Sequence, residues 1–250
     1  MSSVSAYLRE LGRRVRRIAG ADLVGVYVGG SYALRAYERG RSDLDAAAVV
    51  HARRARRLKQ RFVDALRHES LPCPARGLEF VLYRLDAVSF PSTAADFELN
   101  LNTGAEMEFK AAFEPNGAEE HWFPIDRAIY AQRGVSVLGP SARDVFAAFP
   151  RGMLVPVLLE SIRWHESGAA LGDDALLNAC RAWRCAAEGV WSSKPAAGRW
   201  ALQRGAPPVV GDALAARPDR TLLDPAQVRR FLLSVEKKLA AELEPATWAA

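Results

Sequence analysis

A mixed α+β first half followed by an all-helical second half is the fold the sequence predicts, and three observations predict it. Apolar runs of strand length recur at 23–28, 44–50 and 78–85, with segments of helical character between them. Gly139-Pro140 and Phe149-Pro150-Arg151-Gly152 then punctuate a change of character. From Met153 onward the pattern is almost wholly helical. The expected division is residues 1–150 and 151–250, and either part is long enough to bury a core.

The elements follow in order. Residues 4–19 carry Leu8, Leu11, Val15 and Ile18 at helical spacing and end at Gly20, so a helix opens the chain. LVGVYV at 23–28 is a strand, left by the turn Gly29-Gly30-Ser31 and followed by a short helical segment over 32–39. LDAAAVV at 44–50 is the next strand. A second long helix covers 53–68, with Leu58, Phe62, Ala65 and Leu66 as its apolar stripe, and Pro72, Pro74 and Gly77 mark a loop. LEFVLYRL at 78–85 is the third strand, and alternation sets Glu79 on one face with Val81 and Tyr83. Residues 90–104 show little periodicity, while 121–132 read as a helix ending near Gly134. Helices are expected over about 154–167, 174–190, 195–204, 208–216 and 225–243, the last opened by Asp224 as N-cap and Pro225 as its first residue.

The chemistry concentrates between the first two strands. Twelve residues after the Gly29-Gly30-Ser31 turn stands Asp43-Leu44-Asp45, and a strand throws Asp43 and Asp45 to one face, roughly 7 Å apart at Cα. Carboxylates that close repel unless a cation lies between them, and an all-oxygen donor set suits Mg²⁺. The glycines let backbone approach a phosphate chain, and Ser31 can donate to it. Together they describe a metal–nucleotide site. A P-loop is excluded because no Gly-Lys-Ser/Thr follows the turn, and no Gly-x-Gly-x-x-Gly opens a helix. Glu79, a carboxylate on an otherwise apolar strand, is either solvated at the strand end or faces the same site.

Bulk properties bound the rest. Half of the 250 residues are apolar and a quarter are charged, which is ordinary for a globular chain. No stretch approaches the length of a membrane span and no signal peptide precedes the first helix, so a cytoplasmic location without membrane contact is expected. Cys73, Cys180 and Cys185 are too few and wrongly spaced for a disulfide framework or a zinc site. The net charge of +5 raises nucleic acid as a partner, but the arginines at 13, 14, 16 and 17 and the basic run 53–61 each flank an apolar stripe and read as solvated helix faces. Acidic residues crowd 96–126, where Lys110 is a lone base, and suit a cationic partner.

These residues resemble the polymerase-beta-like nucleotidyltransferase superfamily, whose mark is a Gly-Ser turn, a short helix, Asp-x-Asp and a third carboxylate on a later strand. More narrowly, the chain is similar to the aminoglycoside adenylyltransferases that inactivate streptomycin and spectinomycin. Gly30-Ser31 and Ser42-Asp43-Leu44-Asp45 match that family's metal site, and Arg76-Gly-Leu-Glu79-Phe matches the segment holding its general base. Asn178 through Arg181-Ala-Trp183, then Lys194, then Trp200-Ala201, recur with its spacing in the helical half. The resemblance implies a nucleotidyltransferase mixed sheet with flanking helices, completed by a helical domain that closes the nucleotide and acceptor cleft.

It further implies AMP transfer from Mg-ATP to a hydroxyl of a small cationic acceptor. Asp43, Asp45 and Glu79 would surround the metal, with Glu79 also the base, and Gly30, Ser31, Ser42, Arg181 and Lys194 would hold the nucleotide. Trp164 matches a drug-contacting tryptophan, and Asp173 a drug-contacting aspartate once a gap of two residues is allowed. Where the family carries a further streptomycin-contacting tryptophan, this chain has Gly104. A monomer suffices for such a site, and nucleic acid is not expected as a partner. The alternatives are transfer to a protein or nucleic acid, antitoxin-like, or a non-catalytic nucleotide sensor.

Overall fold

The computed structural model describes residues 3–117, 120–168, 171–219 and 223–243. They form two compact units, Met1–Phe149 and Pro150–Ala250. Among the described residues no helix is long and apolar enough to cross a membrane.

The first unit opens with α1 (Val4–Ala19), whose N-terminus is capped by the Ser3 hydroxyl accepting from Ala6 N–H at 3.2 Å. Gly20, at φ +64°, ends it as its N–H donates to the Arg16 carbonyl. There follow β1 (Leu23–Val28), α2 (Gly30–Ala33), β2 (Leu44–Val50), α3 (Arg56–Leu66), β3 (Leu78–Arg84), α4 (Leu85–Val88), β4 (Phe97–Gly104), β5 (Met107–Ala112), α5 (Trp122–Arg133) and β6 (Val135–Leu138). The strands make one mixed sheet in the order β5-β4-β3-β2-β1-β6. β2 and β3 are parallel, joined through α3, and the other neighbours run antiparallel.

Both faces of the sheet are covered, which is why its central strands read as unbroken apolar runs. On one face α1 and α3 bury Tyr7, Leu11, Val15, Phe62 and Leu66 against Val28, Leu44, Ala46, Phe80, Leu82, Leu99 and Leu101. On the other, Tyr27, Ala47, Val49, Val81 and Tyr83 meet Phe123 and Tyr130 of α5 together with Phe146. The Phe146 ring stacks on Tyr130 at 4.9 Å and meets Tyr27 edge-on at 5.2 Å.

The structure differs from the sequence reading in four places. The helix expected over 32–39 is only Gly30–Ala33, because positive φ at Arg35 and Gly40 turns the chain out of helical geometry. The helix expected over 53–68 is Arg56–Leu66, since Arg53 and Arg54 reach away to Glu98 and Asp22. Within 90–104 lies β4, which forms a hairpin with β5. Val135–Leu138, which carried no strand signal, is the edge strand β6.

The second unit consists of α6 (Arg151–Ser167), α7 (Asp173–Glu188), α8 (Lys194–Leu202), α9 (Val209–Asp219) and α10 (Pro225–Ala241). α7 is its axis and packs against the other four helices. Its small residues Ala175, Ala179, Cys180, Ala182, Cys185 and Ala186 are buried and allow that close approach. Gly198 has the same role on α8, where a Cβ would stand 2.8 Å from Leu177 Cδ2. Asp224 caps α10 by accepting from Ala226 N–H at 2.9 Å, with Pro225 next, as the sequence predicts. All three cysteines are buried and free.

Candidate active site

The parallel register of β2 and β3 sets Asp45 directly beside Glu79, and the antiparallel register of β3 and β4 sets Glu79 beside Asn102. Partners in register share a face, so Asp45, Glu79 and Asn102 form a polar row. One step further along, the same face carries Ala47 and Val81, which belong to the core under α5. The row thus stands where the apolar cover ends, and Asp43 precedes β2 by one residue.

The glycine turn shapes the other wall. Gly29 N–H donates to the Asp45 carbonyl at 2.9 Å, and a Cβ at Gly29 would stand 2.9 Å from the Tyr130 ring. Gly30 has φ +46°, and a Cβ there would overlap the Asp45 carboxylate itself. Position 30 is therefore closed to a side chain on two counts, conformation and space. The Ser31 hydroxyl is buried with no hydrogen-bond partner among the described residues, the state of a donor that lacks its acceptor. Ser42 is buried; its hydroxyl accepts from Glu38 N–H at 3.0 Å and its carbonyl accepts from Arg76 N–H at 3.1 Å, which ties the approach to β2 to the approach to β3.

Negative charge dominates here. Burial pushes the Glu79 carboxyl well above the ordinary carboxylate range, and the charges of Asp45, Asp43 and Asp126 add to the rise, with Arg76 opposing. Arg76 Nη2 donates to Asp43 Oδ2 at 2.8 Å. Burial also raises Tyr130, again with help from Asp126 and Asp45. Four carboxylates thus sense one another, from three separate parts of the sequence.

The residues fit a divalent cation as a pair of donors rather than a cage. Asp43 and Asp45 offer oxygen ligands, the type that Mg²⁺ takes while keeping water and phosphate in its other positions. Among the described residues no three His, Cys, Asp or Glu side chains are grouped to hold a metal ion. Glu79 stands in register with Asp45, and its raised affinity for a proton suits it to accept one.

Asp126 escaped the sequence reading as a site residue, although a charged pair, Asp126-Arg127, in the apolar helix WFPIDRAIY was a signal. Arg127 is structural: buried, it donates to the carbonyls of Ala87, Ser92 and Ala94. The acidic stretch does not act as one surface. Glu98 is buried beside Lys59 at 2.7 Å and Arg84 at 3.1 Å, Glu106, Glu108 and Glu114 are exposed, and Glu119 lies outside the described residues. Of the basic run, Lys59 is buried and Arg56 lies over the Phe113 ring at 4.2 Å.

In the second unit Arg181 is half-buried on α7, where Nη2 donates to Asn178 Oδ1 at 2.7 Å and the guanidinium faces the Trp191 ring at 5.7 Å. Asn178 Nδ2 in turn donates to Ser161 Oγ at 3.1 Å, so the arginine stands on a buried amide that another helix orients. Lys194, the first residue of α8, pairs with Asp174 at 3.2 Å. Asp173 is half-buried at the start of α7. Trp164 is 39 % exposed, beside the His165 ring at 4.9 Å, so it is no core residue.

Comparison with known proteins adds two findings. Residues 144–217 match the family model described as the aminoglycoside adenylyltransferase C-terminal domain. The fold is that of spectinomycin adenyltransferase AAD(9) from Enterococcus faecialis, a structure solved with ATP and spectinomycin, at TM-score 0.70 and 13 % identity over 95 % of this chain and 100 % of that one. No curated protein matches the chain.

Proposed function

We propose that this chain, whose residues 144–217 match the model of the aminoglycoside adenylyltransferase C-terminal domain, is an enzyme of that kind that transfers AMP from ATP to a hydroxyl of an aminoglycoside-class acceptor. The observation that carries the reading is the in-register pair Asp45 and Glu79, with Gly30 pressed on the Asp45 carboxylate and Asp43 two residues before it.

Asp43 and Asp45 would hold Mg²⁺, which when bound would supply Lewis-acid stabilisation of the charge that develops on the phosphate. Glu79 accepts the acceptor's hydroxyl proton as the new O–P bond forms and the bond to pyrophosphate breaks. A carboxylate whose proton affinity is raised by burial and by neighbouring charge is a stronger base than an exposed one. The Ser31 hydroxyl donates a hydrogen bond to a phosphate oxygen, and Ser42 keeps the approach to the strand in place. Arg181 and Lys194 hold the triphosphate, the first as a fork oriented by Asn178, the second as a point charge. Trp164 offers an exposed indole face for a sugar ring or an ammonium group, and Asp173 a carboxylate for one. The product of this reaction is an inactivated antibiotic, and the use of ATP supports a cytoplasmic location.

The test incubates the chain with ATP labelled at the α-phosphate, Mg²⁺ and a panel that includes streptomycin and spectinomycin. Label should move to at least one aminoglycoside, and Glu79→Gln should slow that transfer by about 10²–10⁴-fold. Binding of Mg-ATP without labelling of any acceptor would refute the acceptor class. Asp45→Asn that binds Mg-ATP as tightly as the wild type would refute the metal assignment.

A further inference from the structure

Arg76 stands where the positive charge of a metal is needed. Its guanidinium donates to Asp43 Oδ2 at 2.8 Å, on one of the two carboxylates assigned to the divalent cation, and it opposes the combined field of Asp43, Asp45 and Asp126 at Glu79. The backbone of residue 76 is pinned: its N–H donates to the Ser42 carbonyl at 3.1 Å and its carbonyl accepts from Glu106 N–H at 3.4 Å. A Cβ at Gly104 would overlap that same carbonyl, so the β4–β5 hairpin closes on it from the far side. The side chain is different. It is 43 % exposed, and a long stem lets the guanidinium leave Asp43 without moving the strand.

We propose that Arg76 is a resident counter-cation that competes with the free divalent ion for Asp43, so that the enzyme takes its metal with the nucleotide rather than ahead of it. The proposal rests on the metal reading of Asp43 and Asp45 given above. It follows from three features together: one oxygen donor already engaged, a fixed backbone behind the guanidinium, and an excess of carboxylates that would otherwise attract a free cation strongly. Arg76 acts through Asp43 and is a positioning residue.

Mn²⁺ is the probe, titrated into the full chain without nucleotide and followed by the electron paramagnetic resonance signal of the free ion. Arg76→Gln should bind Mn²⁺ roughly two- to fivefold more tightly than the wild type, the range for loss of a half-exposed ion pair. Arg76→Lys restores a competing charge and should return the affinity toward the wild-type value. In an Asp43→Asn background the Arg76→Gln gain should vanish, because the carboxylate in dispute is gone. Should Arg76→Gln fail to fold, Arg76→Met, which keeps much of the stem and removes the charge, carries the same expectation.

Unchanged or weaker Mn²⁺ binding in the charge-removing variant overturns the proposal, because a scaffold or a metal-orienting arginine would give that result. Labelling of aminoglycosides by the wild type keeps the two readings apart. An active wild type with no effect at position 76 sinks this inference alone, whereas a wild type that neither binds Mn²⁺ nor labels an acceptor takes the site with it.

Discussion

A methyl group at position 30 would overlap the Asp45 carboxylate and would have to be carried on a backbone at φ +46°. Gly30→Ala should therefore push Asp45 out of its place and cost about 1–2 kcal/mol from the left-handed conformation alone. The expected readout is loss of Mn²⁺ binding with a lowered but still cooperative unfolding midpoint in urea. Glu79 gives a second expectation, whose sign follows from its raised pKa. A carboxyl that holds its proton more tightly folded than unfolded adds stability below its ordinary pKa and loses it as pH rises through the raised value. At neutral pH without metal the ionised group is a net cost. Glu79→Gln should thus melt above the wild type in chelator at pH 8, and the difference should shrink as the pH falls toward the ordinary carboxylate range. An unchanged difference across that window would mean that Glu79 is not strained by its neighbours. The aspartates stood out in the sequence because Asp-x-Asp after a Gly-Ser turn is a local pattern, whereas the residues alone left Glu79 either solvated or facing the same site. Asp126 and Arg76 meet them only through helix packing and strand register, which no local spacing encodes.

The strands that the sequence revealed were those buried on both faces. LVGVYV, LDAAAVV and LEFVLYR are almost continuous in apolar residues because helices cover the sheet on each side. FELNLNTG was missed although its alternation is regular: Leu99 and Leu101 enter the core, while Asn100 and Asn102 take the intervening positions and dilute the apolar signal. Four-residue β6 is too short to show any period. The same strand β4 carries Glu98, which Lys59 of α3 meets at 2.7 Å, so this pair ties helix to sheet inside the core. Burial alone would raise Glu98, yet the Lys59 ammonium, the Arg54 N–H and Arg84 together hold it below the usual carboxylate value. Removing one partner leaves a buried charge short of its counter-ion. Lys59→Met should lower unfolding stability by about 3 kcal/mol, the low end for a broken buried pair because Arg84 remains at 3.1 Å. A depressed pKa gives stability above the ordinary value that is lost as pH falls through the depressed one, so the penalty should fade in acid. Urea titrations at pH 7 and pH 3 decide it, and equal penalties at both would assign the loss to packing.

At the scale of the whole molecule each unit has its own core, and the residues that the sequence reading assigns to the reaction are divided between them: carboxylates in the first, Arg181 and Lys194 in the second. The halves were separable in the sequence because the strand period stops before residue 150, whereas nothing local says which of 34 lysines and arginines meet a nucleotide. What distinguishes Arg181 is its support, since an ordinary surface arginine has no reason to stand on an asparagine that is itself bonded to a buried serine. Arg181→Ala and Lys194→Ala should each weaken Mg-ATP binding by about tenfold or more, as expected of lost hydrogen bonds to a charged group. Asn178→Ala keeps the charge and loses its anchor, so it should fall between these variants and the wild type. Calorimetric titration with a non-hydrolysable ATP analogue measures all three, and Trp164→Ala serves as the contrast: it should leave nucleotide affinity alone and raise KM for the acceptor. If Arg181→Ala and Lys194→Ala bind the analogue like the wild type, the first unit binds the nucleotide unaided. The Ser161–Asn178–Arg181 chain would then serve only to join α6 to α7, for which a neutral side chain at 181 would do as well.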